Sequence, residues 1–70
     1  MILLALPSEE KSPIDWKDFR FALTQHNLRI VKTLEETSDF VKIQINTTSQ
    51  EQEEIVIDLV ELCFRQYYQV

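Results

Sequence analysis

The chain has 70 residues, with 12 acidic and 7 basic side chains, so its formal net charge is −5 at pH 7. It contains no glycine, one cysteine and one histidine, which excludes glycine-rich phosphate loops, internal disulfides and His/Cys zinc sites. The acidic balance argues against direct binding to nucleic acid and to an anionic membrane surface, because both need clusters of Lys and Arg.

The first predicted element is an apolar strand, Ile2–Leu6, closed by Pro7. Its continuous apolar run is typical of a strand buried on both faces. The run is too short for a signal peptide or a membrane span, so we expect a cytoplasmic protein with a reduced thiol. The sequence leaves open whether this strand is central in its sheet or at an edge, where it would favour pairing with a second copy.

A helix follows the first strand. We expect it to begin at Ser12-Pro13, since serine caps helices and proline suits the first helical position. It should continue to about His26, with Asn27 providing the left-handed exit that glycine usually supplies.

Two strands are predicted next, over Leu28–Leu34 and Phe40–Asn46, joined by an acidic hairpin loop at residues 35–39. In the first strand the alternation places Leu28, Ile30 and Leu34 on one face. In the second strand it places Val41, Ile43 and Ile45 towards the core and Lys42, Gln44 and Asn46 towards the outside.

The last predicted element is a long helix that begins at Thr48 or Ser49 and continues to about Tyr68, and residues 49–52 fit a capping box. The elements predict a single α+β domain over residues 1–70, built as a small two-layer sandwich. It has β-α-β-β-α order and a three-stranded, mainly antiparallel sheet with two helices on one face. This order resembles that of truncated ferredoxin-like domains and of acidic inhibitors of DNA-bound proteins, a likeness of topology alone that does not carry function.

The two predicted helices carry more apolar side chains than one small core needs. Ile14 and Phe21 point away from the sheet at helical spacing. Ile57, Phe64 and Tyr68 form a stripe beside the core-facing side of the second helix. This stripe either packs against the first helix or is exposed and marks a site for a partner or a second copy.

The negative charge is concentrated in the second half of the chain. Residues 1–42 hold 7 acidic and 6 basic side chains, net −1, whereas residues 43–70 hold 5 acidic and 1 basic, net −4. Glu54, Asp58 and Glu61 form a strip along the second helix. The strip either keeps the protein in solution or engages a basic protein surface, in the extreme case by mimicking nucleic acid.

The sequence does not indicate catalysis. The one nucleophile–base pair, Cys63 with His26, lies on predicted core faces and lacks a recognisable oxyanion hole. A Mg²⁺ or Ca²⁺ site made from Glu54, Asp58 and Glu61 lacks a loop motif. We therefore predict a non-enzymatic protein that uses no cofactor and no metal.

We predict a small acidic protein-binding module that inhibits or regulates a larger complex, such as one that handles nucleic acid, in the style of phage or mobile-element inhibitors. Its predicted partner-binding residues are Phe21, Glu54, Asp58, Glu61, Phe64 and Tyr68, with aromatic anchors at the centre and charges at the rim.

Two alternatives remain open at this point. The first is a homo-oligomeric structural or adaptor subunit that assembles through the first strand or the second helix. The second is a protein that binds single-stranded nucleic acid on the outer sheet face, through Phe40, Lys42, Gln44 and Arg29.

Overall fold

The computed structural model describes all 70 residues and contains four strands and two helices. They are β1 (Ile2–Pro7), α1 (Pro13–Gln25), β2 (Ile30–Glu36), β3 (Phe40–Ile45), α2 (Gln50–Cys63) and β4 (Tyr68–Gln69). The predicted small α+β two-layer sandwich is confirmed, with four strands in place of three. The strands form one antiparallel sheet in the order β2-β3-β1-β4, and the order of elements along the chain is shared with ferredoxin-like folds.

The core lies between the two helices and one face of the sheet. The register places Leu4 opposite Ile43 and Leu6 opposite Val41, and residues that face each other across two strands project on the same side. Thirteen buried apolar residues form this core: Ile2, Leu4, Leu6, Trp16, Phe19, Leu23, Leu28, Val41, Ile43, Ile45, Val56, Val60 and Phe64.

β1 is a central strand, paired with β3 on one side and with β4 on the other. This position removes the argument that an apolar edge strand must pair with a second copy. The expected burial of β1 on both faces is wrong, because both helices lie on one side of the sheet. The even-numbered residues of β1 are buried, whereas Leu3, Ala5 and Pro7 are half-exposed on the other side.

The helix boundaries follow the local sequence closely at three of their four ends. Asn27 has a φ of 58°, which confirms the left-handed exit from α1. Ser49 caps α2 through Oγ, which accepts a hydrogen bond from the Gln52 N–H at 3.2 Å. Ser12 precedes α1 as predicted, but its side chain makes no capping hydrogen bond.

The fourth helix end differs from the prediction of a helix that continues to about Tyr68. α2 ends at Cys63, and Phe64 has extended backbone angles, with φ −123° and ψ 142°. This turn directs the Phe64 ring into the core, where its centroid lies 5.5 Å from that of Trp16 and 5.4 Å from that of Phe19, in edge-to-face geometry. The chain then returns along β1 as β4, a strand the sequence did not predict.

β2 is exposed along almost its whole length, and its register departs from a regular alternation. Its pairing with β3 shifts between Ile30 and Lys32 and again between Thr33 and Glu35, as β-bulges do. The prediction that Leu34 shares a face with Ile30 is therefore wrong, and Leu34 is exposed.

Candidate functional site

The side of the sheet without helices presents a largely apolar surface, which we call the open face. Because facing residues on paired strands project on the same side, the register of β1 with β3 and β4 determines its members. The Val70 N–H extends the β4 pairing by donating to the Leu3 carbonyl at 2.9 Å. The open face consists of Leu3, Ala5, Pro7, Phe40, Lys42, Gln44, Tyr68 and Val70.

A notch lies over Ala5 and Pro7 on the open face and extends towards the β2–β3 hairpin. The small side chain of Ala5 faces the long side chains of Lys42 on β3 and Tyr68 on β4. Phe40 and Tyr67 also line the notch, whose volume is about 530 Å³. Ligand pockets in proteins have volumes of roughly 300 to 1,000 Å³ and are mainly apolar, so this notch has the size and lining of a binding site.

The end of the notch next to the β2–β3 hairpin is held by polar contacts. Lys11 Nζ lies 2.8 Å from Asp39 Oδ1, and this hydrogen bond, together with the positive charge of Lys11, lowers the pKa of Asp39. Ser8 joins the same two loops, since its N–H donates to the Asp39 carbonyl at 3.1 Å and its Oγ donates to the Ser38 carbonyl at 2.9 Å. The notch is thus preformed, and a ligand need not order these loops on binding.

The opposite wall of the notch is tied to α2. The Tyr67 hydroxyl donates a hydrogen bond of 2.8 Å to Glu61 Oε1, and this bond raises the pKa of Tyr67. It joins the carboxylate of Glu61 to a residue that lines the notch. One member of the acidic strip predicted on α2 is therefore connected to the wall of the notch.

The predicted acidic strip is exposed along α2. Glu54, Asp58 and Glu61 are all exposed, and none of them forms an ion pair, whereas Glu53 lies 3.5 Å from the amino group of Met1. Their negative charge is therefore not compensated within the chain. The role of the strip in binding stays a prediction.

The three aromatic residues predicted as partner anchors lie in three different places. Tyr68 is 75% exposed and stands on the open face. Phe21 is 67% exposed on the outer side of α1, in the helix layer and across the sheet from Tyr68. Phe64 is only 4% exposed, so the expectation that it is an exposed anchor is wrong, because the turn after Cys63 packs its ring into the core.

Several lining residues were not predicted from the sequence as members of a site, among them Ala5, Pro7 and Tyr67. The available signal was Ala5, the one small side chain in an otherwise bulky apolar strand. The alternation of β3 did place Lys42 and Gln44 outside, as observed. The wall made by Tyr67 and Tyr68 depends on β4, and no periodicity in the sequence marks that strand.

Cys63 and His26 are not brought together. Burial raises the pKa of the Cys63 thiol, and the carboxylates of Asp18 and Asp15 near the start of α1 raise it further. His26 is the C-cap residue of the same helix, about 12 Å or more along it at 1.5 Å per residue. A thiol with a raised pKa is a poor nucleophile, and no group of three His, Cys, Asp or Glu side chains is placed to hold a metal ion.

Arg29 does not join the outward-facing residues of β3. It lines a shallow depression with Leu23 and Ile30 on the side of the sheet that carries the helices. The predicted nucleic-acid surface of Phe40, Lys42, Gln44 and Arg29 is therefore not continuous, although Lys32 lies next to Gln44 on the outward side.

No protein-family model, no curated protein and no solved structure matches this chain. Neither α1, with 13 residues, nor α2, with 14, combines the length and apolar character needed to cross a membrane.

Proposed function

We propose that the chain is a small, non-enzymatic protein-binding module that inhibits or regulates a larger protein by docking on it through the open face. The exposed Tyr68 ring beside the preformed notch above Ala5 is the observation that carries this proposal. Exposed apolar patches rimmed by polar residues mark interaction sites. Aromatic side chains next to pockets are the usual centres of binding energy in such sites.

The proposed partner has a basic surface next to an apolar anchor. Two of the lysines near the notch are already neutralised, since Lys11 pairs with Asp39 and Lys42 lies 3.6 Å from Glu35. The carboxylate of Glu61 and its neighbours on α2 have no such partners. Charge complementarity of this kind speeds association and rejects acidic competitors. The unpaired Cys63 is compatible with a reducing compartment, and the proposal includes a cytoplasmic location.

Self-association is the weaker alternative for the open face. Its apolar part covers β4, β1 and the start of β3, about 14 Å by 20 Å, or roughly 300 Å², from standard strand spacing and rise. Stable interfaces bury about 800 Å² on each partner. The open face is thus too small to hold any partner by itself, and the neighbouring acidic strip adds attraction for a basic partner but repulsion for a second copy.

Site-specific photocrosslinking in the native host tests the proposal. A photoreactive phenylalanine analogue replaces Tyr68 in one variant and Phe21 in a matched control, since both side chains are aromatic and largely exposed. We expect one protein adduct from position 68, none of that mass from position 21, and loss of the adduct when Ala5→Arg fills the notch. Circular dichroism checks that each variant is folded.

Three outcomes would contradict the proposal. Equal adducts from positions 68 and 21 would show that the open face has no special role. An adduct of twice the mass of the chain would show that the open face binds a second copy. An adduct with nucleic acid would show that the ligand is single-stranded nucleic acid and not a protein.

A further inference from the structure

We infer that the partner element lying on the open face is an amphipathic α-helix aligned with β1, an inference that rests on the proposed function. Strand addition cannot cover the face of a sheet, because it takes place at a free edge, and β1 has β3 on one side and β4 beside Leu3, Leu4 and Ala5 on the other. A ligand of the open face must therefore bind through its side chains. Among the recurring modes of peptide recognition, a helix laid in an apolar groove meets that condition.

The dimensions of the open face agree with one helix. The strands β3 and β4 lie on either side of β1, about 10 Å apart at the usual strand spacing, and a helix with its side chains is about 10–12 Å across. β1 has six residues, so it is roughly 20 Å long. A helix of about 13 residues covers that length at 1.5 Å per residue.

The spacing of the outward side chains along β1 fits the spacing of side chains on one face of a helix. Leu3, Ala5 and Pro7 follow one another along β1 at intervals of about 7 Å, and helical residues three or four positions apart are about 5–6 Å apart. Three successive apolar residues of a helix can thus lie above these three positions. The middle one enters the notch above Ala5, between Tyr68 and Phe40, and should be the largest.

The charges on the two sides of the open face determine which flank of the bound helix is basic and which is acidic. On the β2 side Lys32 faces the outward residue Gln44 and forms no ion pair, whereas Lys42 is already paired with Glu35. On the opposite side Glu61 is bonded to Tyr67, which lines the notch. The helix that fits has basic residues on the side of Glu61 and acidic residues on the side of Lys32.

Three synthetic peptides of 14 residues test this inference. The first carries leucine, tryptophan and leucine one helical turn apart, with lysines on one flank and glutamates on the other. The second has the same composition rearranged so that apolar and polar residues alternate, and the third is the first with its lysines and glutamates exchanged. Each is titrated into isotopically labelled protein while the backbone amide NMR signals are followed.

We expect the first peptide to shift the amide signals of Ala5, Lys42 and Tyr68 in a saturable manner, with a Kd at least tenfold below those of the other two. Tyr68→Ala should abolish the shifts and Phe21→Ala should leave them. Equal binding of the alternating peptide, or no binding of any peptide, would overturn the inference of a helix. Equal binding of the exchanged peptide would overturn the assigned flanks.

The two proposals can fail separately. If crosslinking from position 68 succeeds while the helical peptide shows no preference, the open face binds a protein by another element and only the helix inference is wrong. If crosslinking shows no preference for position 68, the proposed function is wrong and the helix inference falls with it.

Discussion

Tyr67 donates a 2.8 Å hydrogen bond to Glu61, whereas its neighbour Tyr68 makes no side-chain hydrogen bond and is 75% exposed. The two adjacent tyrosines thus have different roles, one in structure and one in the proposed binding. Tyr67 fastens the segment after α2 to the helix. Tyr68, on β4 opposite Ala5, leaves its ring available to a partner.

The first prediction concerns the hydrogen bond of Tyr67. We expect Tyr67→Phe to lower the urea midpoint of unfolding and Tyr68→Phe to leave it unchanged, because only the first variant removes a hydrogen bond. In the Tyr68→Phe background, absorbance titration should give Tyr67 a pKa above the usual value of about 10, since its hydroxyl donates to Glu61.

The direction of the pH effect follows from that raised pKa. The folded state holds the phenol proton more tightly than the unfolded state, so the stabilisation is complete below about pH 10 and is lost as the pH rises through the folded-state pKa. Glu61→Ala should return the pKa to its usual range. An unchanged midpoint in Glu61→Ala would contradict the role of the hydrogen bond.

The second prediction compares two phenylalanines that the sequence had placed together as partner anchors. Phe64→Ala removes a buried ring packed against Trp16 and Phe19, and such truncations cost about 3–5 kcal/mol. Domains of this size are stable by only about 4–10 kcal/mol, at 0.05–0.15 kcal/mol per residue. Phe21→Ala removes an exposed ring and should change stability by less than about 0.5 kcal/mol.

Urea unfolding followed by the fluorescence of Trp16, the single tryptophan of the chain, measures both effects. If Phe64→Ala does not fold, Phe64→Leu provides an intermediate loss that is still measurable. Comparable losses for Phe64→Leu and Phe21→Ala would place the Phe64 ring outside the core and contradict the structure.

The order of the first five elements could be predicted because each has a local signal. Alternating side chains marked β3, Ser12-Pro13 and Asn27 bounded α1, and Ser49 capped α2. These signals involve only a few neighbouring residues, and the folded protein keeps the local structures that they predict. They depend on backbone geometry and on hydrogen bonds within one turn. The exposed acidic strip on α2 followed from the same helical spacing.

The remainder depended on contacts between distant parts of the chain. Phe64, Tyr67 and Tyr68 have a spacing that a helix also fits, and the core position of the Phe64 ring beside Trp16 decides against the helix. β4 has only two residues, too few for a periodic pattern. It forms because the side of β1 that does not pair with β3 is available to it. The notch forms only when the sheet places Ala5 between the longer side chains of β3 and β4.

The third prediction concerns the reactivity of Cys63. Its pKa is raised by burial and then by Asp18 and Asp15, so the thiolate fraction at pH 8 is small and reaction with a disulfide reagent should be slow. Asp18→Asn, on α1, removes one negative charge and should speed the reaction. Asp58→Asn, on the exposed side of α2, should leave the rate unchanged. An equal rate in Asp18→Asn and in the unmodified protein would contradict the proximity of Cys63 to α1.

The fourth prediction concerns the acidic strip and the rate of association. Replacing Glu54, Asp58 and Glu61 by lysine should slow association with the partner captured at position 68 and abolish the dependence of that rate on salt, because the strip steers a basic partner. Replacing the same residues by glutamine is the milder control. Stopped-flow mixing at two salt concentrations measures the rate. An association rate that is insensitive to both charge and salt would leave the strip with no part in binding.

We propose that the open face, and not the outer side of α1, binds the partner. The most direct test is the Kd of Tyr68→Ala and of Phe21→Ala for the partner captured at position 68, measured by calorimetry on folded protein. We predict a Kd at least ten times higher for Tyr68→Ala and one within a factor of two of the unmodified protein for Phe21→Ala. The reverse pattern, or an equal effect of the two substitutions, would contradict the claim.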